Sequence, residues 1–222
     1  CFYYFFTFTY LRQMLACAIC WFAIPFAIKR KPIQFFSIVV LAASFHNSAL
    51  LFGILYFISE KRFTLKQVYI ILGMALFLGL TPLSTFLMQN LGGMVNQEKS
   101  LTSVEAANEY GNARLDYFIE VITFLFFFSI IYRNMLKDKL TICMANITFL
   151  FMLILLFFIR FTDGGRMSWY FIIGFCCLFP QIQETFKIKK TYRYYLIVLF
   201  SFLYFRILIS WGPLLSPYRT FL

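Results

Sequence analysis

Apolar runs of about twenty residues recur along this chain, separated mostly by short turns that carry lysine and arginine. A helix rises about 1.5 Å per residue, so some twenty apolar residues cross the roughly 30 Å hydrocarbon core of a bilayer. Runs at 2–28, 67–88, 115–132, 140–161, 167–183 and 194–212 have about that length. The composition agrees: 62% of the 222 residues are hydrophobic, against roughly 45–50% in soluble domains. The expected fold is all-α: a polytopic helical membrane protein with about six full spans, one re-entrant or broken helix, and one long outer loop. Residues 1–222 read as a single integral membrane domain and 89–114 as the extracytoplasmic loop. The 32 phenylalanines suit a lipid-facing bundle and say nothing about chemistry. A net charge of +11 could suggest nucleic acid as a partner. The basic residues lie in short loops between apolar runs, which is the topology signal of membrane proteins, and the nucleic-acid reading is rejected. The first run begins at Cys1 with no preceding Met and no signal-peptide pattern, so an N-terminal part of the natural protein is expected to be missing.

Residues 33–59, IQFFSIVVLAASFHNSALLFGILYFIS, depart from the pattern. The run is interrupted near its middle by Ser44-Phe45-His46-Asn47-Ser48, and His46 is the single histidine of the chain. An ionisable group deep in an apolar run is costly in lipid, and most such groups face a polar cavity. Basic clusters flank both ends: Lys29, Arg30 and Lys31 before, Lys61, Arg62 and Lys66 after. If both clusters stay on one face, the segment enters and returns. The roughly twelve residues before Ser44 make about 18 Å of helix, too short to cross. A re-entrant pair of half-helices would hold His46 near mid-membrane, on backbone lined by protein and water rather than lipid.

Counting Lys and Arg favours the re-entrant path. With the loops at 29–31, 60–66, 133–139 and 184–193 in the cytoplasm, thirteen basic residues lie inside and five outside. A full crossing at 33–59 gives ten against eight at best. On the re-entrant path Arg12, about 25 Å along a helix from Lys29, lies near the outer face. His46 opens outward, and Asp163, Arg166 and the long polar loop are also outside. One outward cavity is expected to gather them.

Each candidate has a plainer reading beside it. Arg12 needs an anionic partner or carbonyls, and its planar charged fork suits a diphosphate; it could also snorkel to the interface with Gln13 as a helper. His46 suits a general base or a hydrogen bond to substrate, or could tie the two half-helices together. Asn47 and Ser48 read as caps for the second half-helix. Asp163-Gly164-Gly165-Arg166 reads as a turn whose glycines let backbone approach a ligand. Arg166 would then open the helix RMSWYF, where a cation opposes the helix dipole, and this makes it a second anion binder. Arg160 is a weaker candidate, and Arg206 reads as structural. Glu98, Glu105, Glu109, Asp116 and Glu120 read mainly as a solvated stretch, with Glu105 and Glu109 as alternative bases. Cys17-x-x-Cys20 has metal-like spacing but no second ligand pair, and reads as buried small hydrophobes. The sequence has no metal-ligand cluster, Walker motif, Ser-His-Asp order or dinucleotide fingerprint, so no metal or cofactor is expected. The sequon at Asn146 lies inside a span and carries no weight.

Three stretches carry a resemblance. Leu11-Arg12-Gln13-Met14-Leu15-Ala16 resembles an "RQ..A" helix. Leu41-Ala42-Ala43-Ser44-Phe45-His46-Asn47-Ser48-Ala49-Leu50, after a basic turn, resembles "LA..FH.SAL". Gly165-Arg166-Met167-Ser168-Trp169-Tyr170-Phe171 resembles "R...YF". Together, over about residues 8–182, they resemble the C-terminal part of the EpsG family of bacterial exopolysaccharide and capsule polymerases, which are Wzy-like. That family has a further N-terminal part with an acidic-aromatic motif, absent here. The resemblance implies a multi-pass protein of the bacterial cytoplasmic (inner) membrane. It would join oligosaccharide repeat units carried on undecaprenyl diphosphate, at the outer face, as a metal-independent glycosyltransferase-type polymerase. Its implied partners are that lipid-linked oligosaccharide, the bilayer, a flippase and chain-length or export proteins.

The residues fit such chemistry. An acceptor hydroxyl attacks the anomeric carbon of the donor glycan, and the lipid diphosphate leaves. Arg12 and Arg166 in a low-dielectric cavity would stabilise the leaving charge. His46, or Glu105 or Glu109, would assist loss of the hydroxyl proton. Asp163, Arg160, Gln13, Trp169 and Tyr170 complete the expected substrate site, the two aromatics packing on sugar rings or serving as interfacial anchors. Two readings from other classes stay open. One is a secondary transporter or lipid-linked sugar flippase, whose broken helix coordinates an anion or proton; the other is a noncatalytic subunit of a polysaccharide export complex.

Overall fold

The computed structural model describes residues 11–93, 113–134, 138–185 and 194. All regular structure among them is helical. The chain runs through α1 (Leu11–Phe22), α2 (Ile24–Ile28), α3 (Pro32–Phe45), a 3-10 segment (Asn47–Gly53) and α4 (Ile54–Ile58). It continues through α5 (Leu65–Leu80), α6 (Pro82–Gly93), α7 (Leu115–Asn134) and α8 (Lys139–Phe157). It then forms α9 (Thr162–Ser168), a 3-10 turn (Trp169–Phe171) and α10 (Ile172–Thr185). Two described stretches, Leu11–Ile28 and Lys139–Phe157, are long and apolar enough to cross a membrane, while the apolar helices Pro32–Phe45, Asn47–Ile58 and Leu65–Leu80 are shorter. Most of the expected outer loop and, apart from Tyr194, the expected last span lie outside the described residues.

α8 is the hub, and α5, α7, α9 and α10 pack around it. Its residues from Thr141 to Met152 are buried without a break, so the helix is apolar on all faces, as a fully enclosed helix must be. Its polar exceptions are bonded. The Thr148 hydroxyl donates to Met144 O at 3.0 Å. The Asn146 amide donates to Ile58 O at 2.6 Å and Lys61 O at 2.9 Å, tying α8 to the turn that follows α4. Asp138 caps the first turn, accepting from Thr141 N at 3.1 Å. Glycines set the closest approaches. A Cβ on Gly174 of α10 would stand 2.6 Å from Met144 O, and one on Gly79 of α5 would overlap Leu156 O. Small residues at such crossings bring backbones together where lipid removes the hydrophobic drive between helices. The outer faces are apolar as well: α5 buries Val68, Leu72 and Ala75 and exposes Ile70, Met74 and Phe77. Such a two-faced apolar helix suits surroundings that are apolar on both sides.

Segment 33–59 breaks at His46 and folds back. α3 stops at Phe45, His46 is extended (φ −155°, ψ 114°), and the chain restarts as the 3-10 segment and α4. Phe35 meets Phe52 and Tyr56, with centroids 6.2 and 5.4 Å apart, so the returning limb lies along α3. At the open end Arg30 Nε donates to Glu60 at 2.7 Å and Arg30 Nη1 to Tyr56 O at 2.6 Å. Lys139 Nζ donates to the other Glu60 oxygen at 2.9 Å, and Tyr132 donates to Phe63 O. Three of the four basic loops therefore meet at one end of the bundle. The charged part of the fourth, 187–193, lies outside the described residues. The Lys139 and Arg30 hydrogen bonds hold the Glu60 carboxyl down to about 2. The chain between α5 and α6 breaks at Thr81-Pro82, and Ser84 Oγ donates to Gly79 O at 2.9 Å across the break.

Candidate functional site

The stretch Asp163-Gly164-Gly165-Arg166, expected as a turn, is helical and forms most of α9. The reason is packing. A Cβ on Gly165 would stand 2.5 Å from Tyr117 Oη, and one on Gly164 would stand 2.5 Å from Phe158 Cβ. The glycines let α9 lie against α7 and the end of α8; their use is close approach, not a turn. Arg166 falls in the last turn of α9, where a cation suits the dipole rather than opposing it. Arg166 therefore does not oppose a helix dipole as the sequence led us to expect.

The position of Arg166 is defined by α1. Gln13 is buried, and its Nε2 donates to Arg166 O at 2.6 Å. This carbonyl, in the last turn of α9, also accepts from the backbone N–H of Trp169. Arg12, the neighbour of Gln13, is exposed. Four residues after Arg166, Tyr170 is fully buried. Its carbonyl accepts from Trp21 Nε1 at 2.9 Å. Its hydroxyl lies 3.0 Å from Ser48 Oγ and 3.3 Å from His46 Nδ1. Ser48 Oγ lies 2.7 Å from His46 Nδ1. Phe52 stacks on Phe171 with centroids 5.4 Å apart. The tip of the hairpin is thus docked on the 166–171 segment, and His46 stands about 21 Å along α3 from Pro32.

The structure brings Gln13 to the main chain of Arg166, and His46 to Tyr170 four residues further along the same segment. Two sequence expectations change in consequence. Tyr170 has no exposed face for a sugar ring; its hydroxyl serves the histidine instead. Ser48 does not cap the 3-10 segment, which has no side-chain cap, and bonds His46 and Tyr170. No local pattern marks the Ser48–Tyr170 pair, whose members lie 122 residues apart. Trp169 is half-buried. Cys17 and Cys20 are fully buried in the core, as small hydrophobes.

Arg160 follows α8, and its Nε is buried without a partner among the described residues. Buried polar groups are nearly always bonded, so this nitrogen calls for an acceptor. Beside it, Arg114 N donates to Ile159 O at 3.1 Å, and Arg114 pairs with Asp116 at 2.8 Å. The Asp163 side chain lies outside the described residues, as do Glu98, Glu105 and Glu109. A separate apolar cleft of about 340 Å³ is lined by Trp21, Ile24, Lys29, Leu140 and Met144 among others, and by none of the predicted site residues.

Neither the curated proteins nor the solved structures yield a match. The model of the EpsG family matches residues 1–220, beyond the three motif stretches; the chain belongs to the EpsG family.

Proposed function

We propose that this protein polymerises undecaprenyl-diphosphate-linked oligosaccharide repeat units for exopolysaccharide or capsule, at the outer face of the bacterial inner membrane. Family membership supports a polysaccharide-polymerase role. The observation that carries the site is the docking of the hairpin tip, with the chain's single histidine, on the segment that follows Arg166. In this reading the Arg30–Glu60–Lys139 end faces the cytoplasm and the protein crosses the membrane several times. His46 stands at mid-depth, with Arg12 and Arg166 further out. The arginines, joined by Arg160, meet the donor diphosphate and stabilise its charge as it leaves. The acceptor hydroxyl forms the new bond to the anomeric carbon. The old carbon–oxygen pair departs with the diphosphate, and the hydroxyl proton passes to a base at the site. Trp169 offers a face to a sugar ring, and Asp163 a hydrogen-bond acceptor.

The test is complementation. The intact gene should restore polymer in a polymerase-null strain, and His46→Ala should lower its formation by roughly 10²–10⁴-fold, the range for loss of an acid–base group. Export of single repeat units with no chain growth would favour the transporter reading, to which a broken helix is also suited.

A further inference from the structure

We propose that the apolar cleft between α1–α2, α8 and α10 holds one acyl chain of an anionic phospholipid, whose phosphate meets Lys29 at the end of the cleft. The proposal goes beyond the polymerase reading and does not depend on it.

The walls of the cleft call for hydrocarbon. Its volume is about 340 Å³, at the lower end of the roughly 300–1,000 Å³ range of ligand sites. Trp21 of α1, Ile28 of α2, Leu140 and Met144 of α8 and Ile173 of α10 line it. Lys29 is the single charged residue among the lining side chains. The polar atom of Trp21, Nε1, is already used, donating to Tyr170 O. Such walls offer nothing to replace the water that a polar ligand gives up. Trp21 and Lys29 are eight residues apart along the helical stretch Leu11–Ile28 and its cap. That separation is about 12 Å of helix, so the lining extends along the bundle, as an acyl chain does.

Lys29 sets the charge of the head. It is exposed and makes no ion pair among the described residues, whereas Arg30 and Lys139 share Glu60. The described part of this end carries seven Lys and Arg residues against Glu60 and Asp138. That surplus draws anionic headgroups, and basic sites between membrane helices retain them. A neutral apolar ligand would leave Lys29 unanswered, and a free phosphate would leave the walls empty. An anionic lipid answers both. The polyprenyl chain of the proposed substrate fits less well, because its diphosphate belongs with Arg12 and Arg166 and not at the end where Lys29 stands.

The test is native mass spectrometry of the full chain in detergent, with phosphatidylglycerol, phosphatidylethanolamine or glycerol phosphate added. The wild-type protein should retain one phosphatidylglycerol in preference to the other two. Lys29→Gln should lower that retention about fivefold, the value of one basic residue at an anionic surface, and leave phosphatidylethanolamine unchanged. Lys29→Arg should keep it. Leu140 is an exposed wall residue, so Leu140→Trp should fill the cleft without disturbing the core and displace the lipid with every charge in place. Equal retention of the two lipids would mean an unselective lipid layer and overturn the proposal. So would full retention of phosphatidylglycerol in both Lys29→Gln and Leu140→Trp. Glycerol phosphate held as well as the lipid would reduce the site to an anion on Lys29 and remove the acyl chain. A benzophenone amino acid placed at Leu140 in lipid nanodiscs should crosslink to lipid on illumination. Crosslinks to the chain itself would put a segment of this protein in the cleft and overturn the proposal.

Discussion

Arginine and lysine carry the same charge but are not equivalent at a diphosphate. The guanidinium fork presents two parallel donors, whereas an ammonium acts as a point charge. Arg12 is exposed beside Gln13 in the sequence, and Gln13 holds the Arg166 carbonyl, so α1 meets α9 next to both arginines. Arg12→Lys and Arg166→Lys should each lower polymerisation in proteoliposomes by about tenfold or more, the value of one charge-assisted hydrogen bond, with folded yield unchanged. Normal donor binding by the double variant would remove both arginines from the diphosphate role. Arg30 shows the opposite balance, of strain against contact. It takes the left-handed backbone (φ 54°) that closes the turn after α2, where glycine is usual. The side chain that glycine would lose is the one bound to Glu60 and Tyr56.

At the scale of elements, the hairpin 33–59 is held at two points of different chemistry. Its tip rests on Tyr170 and Phe171 through a hydroxyl pair and a ring stack. Its open end is closed by Glu60 between Arg30 and Lys139. The Glu60 carboxyl is held down from 4.5 to about 2 by those two donors. A depressed carboxylate pKa contributes stability that is fully present above the unfolded value and lost as pH falls through the folded one. Thermal stability should therefore lose the Glu60 contribution between about pH 4.5 and pH 2. Glu60→Gln should flatten the unfolding curve in that window, and added salt should do so in part because the pair is open to solvent. An identical acid profile in wild type and Glu60→Gln would deny the cluster any part in closing the hairpin.

For the whole molecule, α8 is the element against which the others are positioned, and glycine sets how near they come. Gly174 sits against the α8 backbone at Met144 and Thr148, whereas nothing lies within 4 Å of a Cβ built on Gly73. Gly174→Ala should lower stability by about 1–3 kcal/mol, the usual cost of overpacking, because rigid backbone must move. Gly73→Ala should leave stability unchanged or slightly raised. Thermal unfolding in one detergent compares them directly, and equal behaviour would mean that the α8–α10 approach is not close. The mixture of buried and exposed phenylalanines follows from the same architecture, since the outer faces of the bundle are apolar too.

The linear pattern determined what depends on solvent and local geometry. Apolar runs made the chain helical and suited to lipid, and the polar interruption at His46 set where segment 33–59 breaks, because an extended residue there stops α3. The placement of Lys and Arg anticipated that three basic loops share one end, since burying those charges is unfavourable wherever the loops fold. Tertiary packing decided the rest. Gly164-Gly165 reads locally as a turn, yet it is helical because Tyr117 and Phe158 leave room for nothing larger. Asn146 looks like a sequon within a span, but its amide holds the carbonyls at the end of α4. The Ser48–Tyr170 contact beside His46 joins residues 122 positions apart. No local propensity encodes such a pair; it exists because the hairpin tip and the 166–171 segment are packed in one core, where a buried hydroxyl must find a partner.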